Sequence, residues 1–348
     1  MPTQTEIIDA LRKVTDPELG RNLVELNMIH DVAIAQDGSI SFTIALTAPG
    51  CPLRESMASN ARAAVKTLPG VTDVFTGFRE MTGTERSAAL NRAQAPQLPK
   101  LNQFNQIKQV IAVMSGKGGV GKSSITAALA VALMRKGQKV GILDADITGP
   151  SIPRFFKLHA GGLRASQQGM LPALTQQGIK IVSTHLLLLE EDLPVVWRGS
   201  MISATIRQFW GEALWGKLDT LLVDLPPGTS DAAIAVVQNL PLNGVVLVTT
   251  PQELSAMVVK KAVHMLTELK VPILGVVENM SYFRCPDNGK DYAIFGPSHV
   301  DEVAAKAGVA VWARLPIDPT LAELLDSGRA EEMVTPEFLE LAERLIMK

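Results

Sequence analysis

Cysteine is almost missing from this chain, with two in 348 residues, Cys51 and Cys285. A disulfide-stapled secreted scaffold is thereby excluded. Aromatic residues are also few: ten Phe, four Trp and two Tyr. The core must therefore be built from Val, Ile, Leu, Ala and Met, a composition suited to buried parallel strands between helices. Neither sign of charge dominates, since 33 Lys and Arg stand against 35 Asp and Glu, a net charge of −2. That balance excludes a polybasic nucleic-acid binder, and no nucleic-acid partner is expected. Apolar runs such as 186–189 and 245–248 fall far short of the roughly 18 residues that cross a bilayer. The five histidines show no H-x-x-x-H spacing, and no G-x-S-x-G elbow is present. Zinc and serine hydrolases are thus unsupported. The opening residues carry neither a basic flank with a long apolar stretch nor an Arg-rich leader, so a cytosolic location is expected.

What is present is ample material for a core, 47% hydrophobic residues with 20% charged, and a length that suggests two domains. Residues 5–13 have helical periodicity. From 30 to 46 the pattern alternates around Gln36-Asp37-Gly38, which reads as a hairpin. A helical stretch, 52–68, and a strand, 71–78, complete a small α+β domain over 1–85. Residues 86–106, rich in Ala, Asn, Gln, Arg and Pro, read as a linker. From 107 to 348, strand-like runs at 110–115, 139–144, 220–224, 244–249 and 273–279 alternate with helical stretches. That alternation indicates an α/β domain with a mostly parallel sheet flanked by helices. Sites in such sheets lie at the carboxyl ends of the strands.

The strongest local signal sits at the end of the first of these strands. Gly116-Lys-Gly-Gly-Val-Gly-Lys-Ser123 matches G-x-x-x-x-G-K-[ST], the P-loop pattern. Glycines allow backbone N–H groups to converge on phosphate oxygens, and the following helix directs its positive end at the anion. Gly116, Gly118, Gly119, Val120, Gly121, Lys122, Ser123 and Ser124 are the candidate ATP-binding residues. Lys122 is placed to contact the β and γ phosphates and Ser123 to bind Mg²⁺. Asp144 and Asp146 close the strand at 140–143, and Asp224 closes the run at 221–224. Acids there are hard oxygen ligands, although any one of them could instead cap a helix or fill a turn.

The spelling Gly-Lys-Gly-Gly-Val-Gly-Lys resembles the deviant P-loop of the MinD/ParA/nitrogenase iron protein class of ATPases. In that class the extra lysine, here Lys117, reaches the partner's phosphates in a nucleotide-sandwich dimer, much as an arginine finger does. The resemblance implies a homodimer, Asp146 as the carboxylate that orients water, and Asp224 as the acid of the Mg²⁺ shell. It also places Asn279 at the adenine edge and the Pro316-Ile-Asp318 turn over the base, although Asn279 could equally be a strand-end turn residue. Four further segments narrow the match: Asp144-Ala-Asp-Ile-Thr-Gly-Pro-Ser-Ile-Pro153, Asp224-Leu-Pro-Pro-Gly-Thr-Ser-Asp231, Thr249-Thr-Pro-Gln252 and Glu278-Asn-Met-Ser-Tyr-Phe283. Together they resemble the Mrp/ApbC family of iron–sulfur cluster carrier ATPases. Asp16-Pro-Glu18 and Thr47-Ala-Pro-Gly-Cys-Pro52 are similar to the iron–sulfur assembly domain that often precedes it.

That resemblance implies ATP hydrolysis and transfer of clusters to apo client proteins, with assembly factors as further partners and no membrane. The acidic residues of the amphipathic tail 336–348 argue the same way on membranes. One departure stands out. Where the family carries Cys-x-x-Cys, this chain reads Cys285-Pro-Asp-Asn288, and an amide is a poor substitute for thiolate on iron. A dimer then offers two Cys285 thiolates, so an iron–sulfur cluster needs other ligands, such as Cys51, and is expected to be labile or absent. Cys51 precedes an expected helix start, which favours thiolate, though either cysteine could be a small buried hydrophobe. Two rival readings remain: a scaffold for assembly factors that binds no cluster, and a ParA/MinD-like positioning switch.

Overall fold

In a computed structural model of the chain, the hairpin expected around Gly38 forms between β1 (Ile29–Ile34) and β2 (Ile40–Leu46), which pair antiparallel. Gly38 makes the turn at φ +83°, and a Cβ there would sit 2.7 Å from the Gly70 carbonyl oxygen. Only glycine fits such a turn without strain. The structure describes residues 2–16, 19, 21–47, 54–94, 100–147, 149–187 and 199–347, the side chains of 90–94, 199–200, 253–258 and 306 excepted.

The chain divides into two compact units, Met1–Pro96 and Gln97–Lys348. In the first, α1 (Gln4–Leu11) opens with a capping box between Thr3 and Glu6. The helix α2 (Arg54–Lys66) follows, and β3 (Val74–Glu80) then joins β2 in parallel. Ile7, Leu11, Phe42, Ile44, Met57, Ala61 and Val65 form the core between helices and sheet. The stretch 86–106, expected to be a linker, begins inside a helix, α3 (Gly83–Gln94), and Ala89 of that helix is buried in this core. Its start is fixed locally. Glu85 accepts the Thr82 N–H at 2.9 Å while its own N–H donates to the Thr82 hydroxyl at 3.3 Å, a reciprocal cap. Arg79, forked onto Glu85, and the Thr82 N–H hold that carboxyl down at about 2.

The second unit is a three-layer α/β structure. Its chain order is β4 (Gln106–Ser115), α4 (Lys122–Arg135), β5 (Val140–Asp144) and α5 (Ile152–Phe155), then β6 (Arg164–Ser166), β7 (Gly169–Leu171), β8 (Ala173–Leu174) and β9 (Lys180–Ser183). Next come α6 (Gly199–Glu212), β10 (Lys217–Asp224), α7 (Asp231–Asn239), β11 (Gly244–Thr249) and α8 (Glu253–Glu268). It ends with β12 (Ile273–Arg284), β13 (Asp291–Tyr292), α9 (Val300–Ala307), β14 (Val311–Pro316), α10 (Pro319–Asp326) and α11 (Pro336–Ile346). Among the described residues the large sheet has nine strands, ordered β13-β12-β11-β4-β10-β5-β9-β8 with β14 beside β12. Every pairing from β12 across to β9 is parallel, as is that of β14 with β12. Crossover connections of this kind cover both sheet faces with helices.

Alternate residues of β4 serve the two faces. Ile111 and Val113 pack with α4 and α11, whereas Val110, Ala112 and Met114 pack with the aromatics of α6 and with α7 and α8. Phe209 and Trp210 belong to this second core, at 0% and 5% exposure; Trp197 and Arg198 lie outside the described residues. The amphipathic tail forms α11 and buries Phe338, Leu341, Ala342 and Leu345, an i, i+3, i+4, i+7 face. No helix among the described residues is long and apolar enough to cross a membrane.

Gly275 marks a close approach in the sheet, since a Cβ there would sit 2.3 Å from the Trp312 indole nitrogen. Gly275→Ala should lower the stability of this unit by about 1–3 kcal/mol through overpacking. All four tryptophans fall in the second unit, so fluorescence during urea unfolding reads it alone, and an unchanged midpoint would contradict the packing described.

Candidate functional site

The register of the sheet brings the acidic strand ends to the glycine loop. Asp224 of β10 lies opposite Val113 of β4 on one side and Asp144 of β5 on the other. The loop from Gly116 to Gly121 leaves β4 and enters α4 at Lys122. Gly119 and Gly121 have φ values of +77° and +80°, the left-handed region that favours glycine. At Gly121 a Cβ would also stand 2.3 Å from the Asn279 amide nitrogen, so both conformation and space demand glycine. The start of α4 carries the positive end of the helix dipole into this loop. Ser123 and Ser124 follow on its first turn, half-buried.

Lys122 is 6% exposed and Asp224 is fully buried, and their side chains are paired at 2.7 Å. The same carboxylate accepts the Ser123 hydroxyl at 2.6 Å and the Thr126 hydroxyl at 2.8 Å. Buried charges persist only when paired and hydrogen-bonded, and here both oxygens of Asp224 are engaged. Removing one member of such a pair costs about 3–5 kcal/mol. Thr126 also donates to the Lys122 carbonyl. Its spacing, one helical turn past Lys122, was the available sequence signal for a residue that the motif does not include. The Ser123 hydroxyl and the Asp224 carboxylate are hard oxygen donors and fit Mg²⁺.

Asp144 is fully buried beside this network, accepting from the Ser183 hydroxyl at 3.1 Å and from the Asp146 N–H at 3.3 Å. Burial and the neighbouring Asp224 push its carboxyl well above the usual range, against the opposing pull of Lys122. Asp146 lies just past the end of β5, half-buried, and accepts the Gly149 N–H at 3.3 Å. The segment after β10 closes on the loop, because the Gly228 N–H donates to the Ser115 carbonyl at 2.9 Å.

The remaining expected residues differ in how they relate to this centre. The Asn279 side chain is buried and donates to the Val120 carbonyl at 2.9 Å, so it touches the loop itself. Lys117 extends to the Gln252 side-chain oxygen at the start of α8. Pro316 ends β14 opposite Tyr282, and Asp318 caps α10 by accepting the Thr320 and Leu321 N–H groups. Cys285 lies six residues beyond Asn279 in the turn between β12 and β13, partly exposed. That turn commits Asn288: its oxygen accepts the Lys290 N–H at 2.9 Å and its amide donates to the Tyr292 hydroxyl at 3.3 Å. Among the described residues no three His, Cys, Asp or Glu side chains gather as a metal site. Cys51, Pro17 and Glu18 lie outside the described residues.

A glycine loop between strand and helix, a buried lysine and an acid closing the neighbouring strand define a P-loop NTPase, in an α/β fold like that of the cell division ATPase MinD from Pyrococcus furiosus, with a TM-score of 0.51. Residues 106–346 match the family model described as NUBPL iron-transfer P-loop NTPase, and the chain belongs to that family. Residues 4–75 match the model of iron-sulfur cluster assembly proteins. The chain is 42% identical over 341 residues to a protein of Synechocystis sp. named iron-sulfur cluster carrier protein, covering 97% of this chain and 93% of that one. A protein of the same name from Aquifex aeolicus is 37% identical, covering 98% and 96%. Among solved structures, a nucleotide-binding protein from Archaeoglobus fulgidus in complex with ADP is 48% identical with a TM-score of 0.60, covering 67% of this chain and 91% of that one.

The raised carboxyl of Asp144 has a consequence for stability. An unfolded Asp loses its proton near pH ~4, whereas the folded group keeps it to higher pH, so stability falls as pH rises between the two values. Asp144→Asn removes this linkage. In nucleotide-free protein its melting temperature should match the parent near pH 4 and exceed it at pH 8 by about 2–4 °C for each kcal/mol gained. A variant that melts below the parent at pH 8 would contradict the assignment.

Proposed function

We propose that the chain is an ATP-hydrolysing carrier that delivers iron–sulfur clusters to apoproteins and works as a homodimer. The observation that carries this reading is the convergence of Lys122, Ser123 and Asp224 on the glycine loop, with Cys285 in the turn that directly follows the strand sending Asn279 to that loop. The names of the Synechocystis and Aquifex relatives, and the ADP held by the Archaeoglobus one, support it.

In this mechanism the loop N–H groups, from Gly116 to Ser124, and the Lys122 ammonium bind the phosphates. Lys122 leaves Asp224 to do so, exchanging one anion for another. Ser123 and Asp224 would hold Mg²⁺, which would supply neutralisation of the charge that develops on the phosphates. Asp146 orients the attacking water, and Asn279 with the Pro316–Asp318 turn receives the adenine. Lys117 gives up Gln252 and reaches the partner subunit's phosphates, where it stabilises transition-state charge. Hydrolysis then relaxes the segments around Asp146 and Asp231 and alters the dimer surface near Cys285. The cargo cluster takes two Cys285 thiolates from the dimer and completes its shell with other thiolates, from small thiols or a client. Such a cluster is weakly held and easily passed on.

The commitment of Asn288 to its turn favours a second reading, an ATP-controlled scaffold that recruits assembly factors and holds no cluster itself. Anaerobic reconstitution with iron and sulfide separates the two. Wild type should take up iron with visible absorption, and Cys285→Ala should lose it; colourless protein throughout would put the scaffold first.

Lys122→Ala should abolish ATP hydrolysis and cluster transfer together. Lys117→Ala should still bind nucleotide but hydrolyse it about 10³-fold more slowly, the scale of a missing arginine finger. Steady-state phosphate release checks both, and normal turnover by Lys122→Ala would refute the assignment of the loop.

A further inference from the structure

The strand end that carries Asn279 also carries a buried acid outside the phosphate machinery. Glu278 is completely buried on β12. Its two carboxylate oxygens accept separate hydroxyls, Ser281 at 2.5 Å and Ser298 at 2.8 Å. Ser298 in turn accepts the Val300 N–H at the start of α9. These serines bracket residues 282–297, the excursion that contains Cys285. One carboxylate therefore closes the base of the whole excursion. Its outer part is held separately, by Arg284 forked onto Asp291 at 2.7 and 2.9 Å and by the Cys285 N–H donating to the Lys290 carbonyl.

Between Glu278 and Ser281 the backbone bends sharply. Met280 has φ +54°, a conformation that residues other than glycine seldom adopt and that persists only where surroundings enforce it. The bend folds Ser281 back onto Glu278. It also brings the chain against the phosphate loop, where the Asn279 amide meets the Val120 carbonyl and the Met280 methyl lies close to Gly121. Four consecutive residues thus touch the loop and tie down both ends of the Cys285 excursion.

We infer that Glu278 is a positioning residue that makes the Cys285 hairpin follow the phosphate loop, so that nucleotide in the loop sets the reactivity of the Cys285 thiol. The inference rests on the reading of the loop as the nucleotide site. Coupling of this kind needs a contiguous packed element with two arrangements that both sites bias, and residues 278–281 supply the contiguity.

The test uses the full chain with Cys51→Ser, which leaves Cys285 as the single thiol. Its alkylation by iodoacetamide is timed with and without saturating Mg²⁺ and a non-hydrolysable ATP analogue, and analogue binding is measured separately. In the parent, the analogue should change the rate by about threefold or more. Glu278→Ala should react about threefold faster without nucleotide, through local opening of the hairpin base, and should bind the analogue yet show no change with it. Glu278→Gln should restore the response, because an amide can accept from one serine and donate to the other. Ser298→Ala removes one of the two ties, should give an intermediate response, and serves if Glu278→Ala fails to fold. A Glu278→Ala or Ser298→Ala protein that binds the analogue and keeps the parent's full response would overturn the inference, as would a parent that binds it with no change at Cys285. A parent that does not bind the analogue would instead overturn the nucleotide reading itself.

Discussion

A lysine and an aspartate shut away from water at 2.7 Å form the constraint on which the rest of the site depends. Neither charge could be buried alone. The pairing fixes how far β4, β10 and the start of α4 can separate, because Lys122 begins the helix and Asp224 ends the strand. Ser123 and Thr126 complete the shell of the carboxylate. The charged and hydroxyl groups of the site thus satisfy one another. Under the proposed function, phosphate and Mg²⁺ would compete with those contacts, and binding would be an exchange of partners around fixed groups.

Parallel pairing extends that constraint across the sheet. Asp144, Asp224 and the loop stand at neighbouring carboxyl ends because the strands run in register. Asn279 joins from β12, two strands away, by reaching to the Val120 carbonyl. The same strand continues into the Cys285 turn, so the side chain proposed to receive the adenine and the thiol proposed to handle iron lie on one continuous segment. Asn288 is built into that turn by two hydrogen bonds that a thiol would not reproduce in the same way. The departure from Cys-x-x-Cys thus has a local structural use.

Much of this was legible in the sequence where pattern and period are strong. The P-loop, the alternating strands from 110 onward and the first hairpin depend on local rules, and the structure has them at the expected places. The helix α3 was equally local, since Thr82-Gly-Thr-Glu85 spells a capping box, but a composition rich in Ala, Asn and Gln around it read as linker. Other features are set by tertiary contact and have no signature along the chain. The pairing of Lys117 with Gln252 joins residues 135 apart, and that of Glu278 with Ser298 joins residues 20 apart. Thr126 lies between these cases, with its spacing visible and its partner not.

The most direct test of the exchange at the centre of this site is a crystal structure of the full chain with Mg²⁺ and a non-hydrolysable ATP analogue. Lys122 Nζ should lie within hydrogen-bonding distance of the β and γ phosphate oxygens, with its contact to Asp224 broken and Ser123 turned from that carboxylate to the metal. An analogue seated in the loop with the Lys122–Asp224 pair and the Ser123–Asp224 hydrogen bond both intact would contradict it.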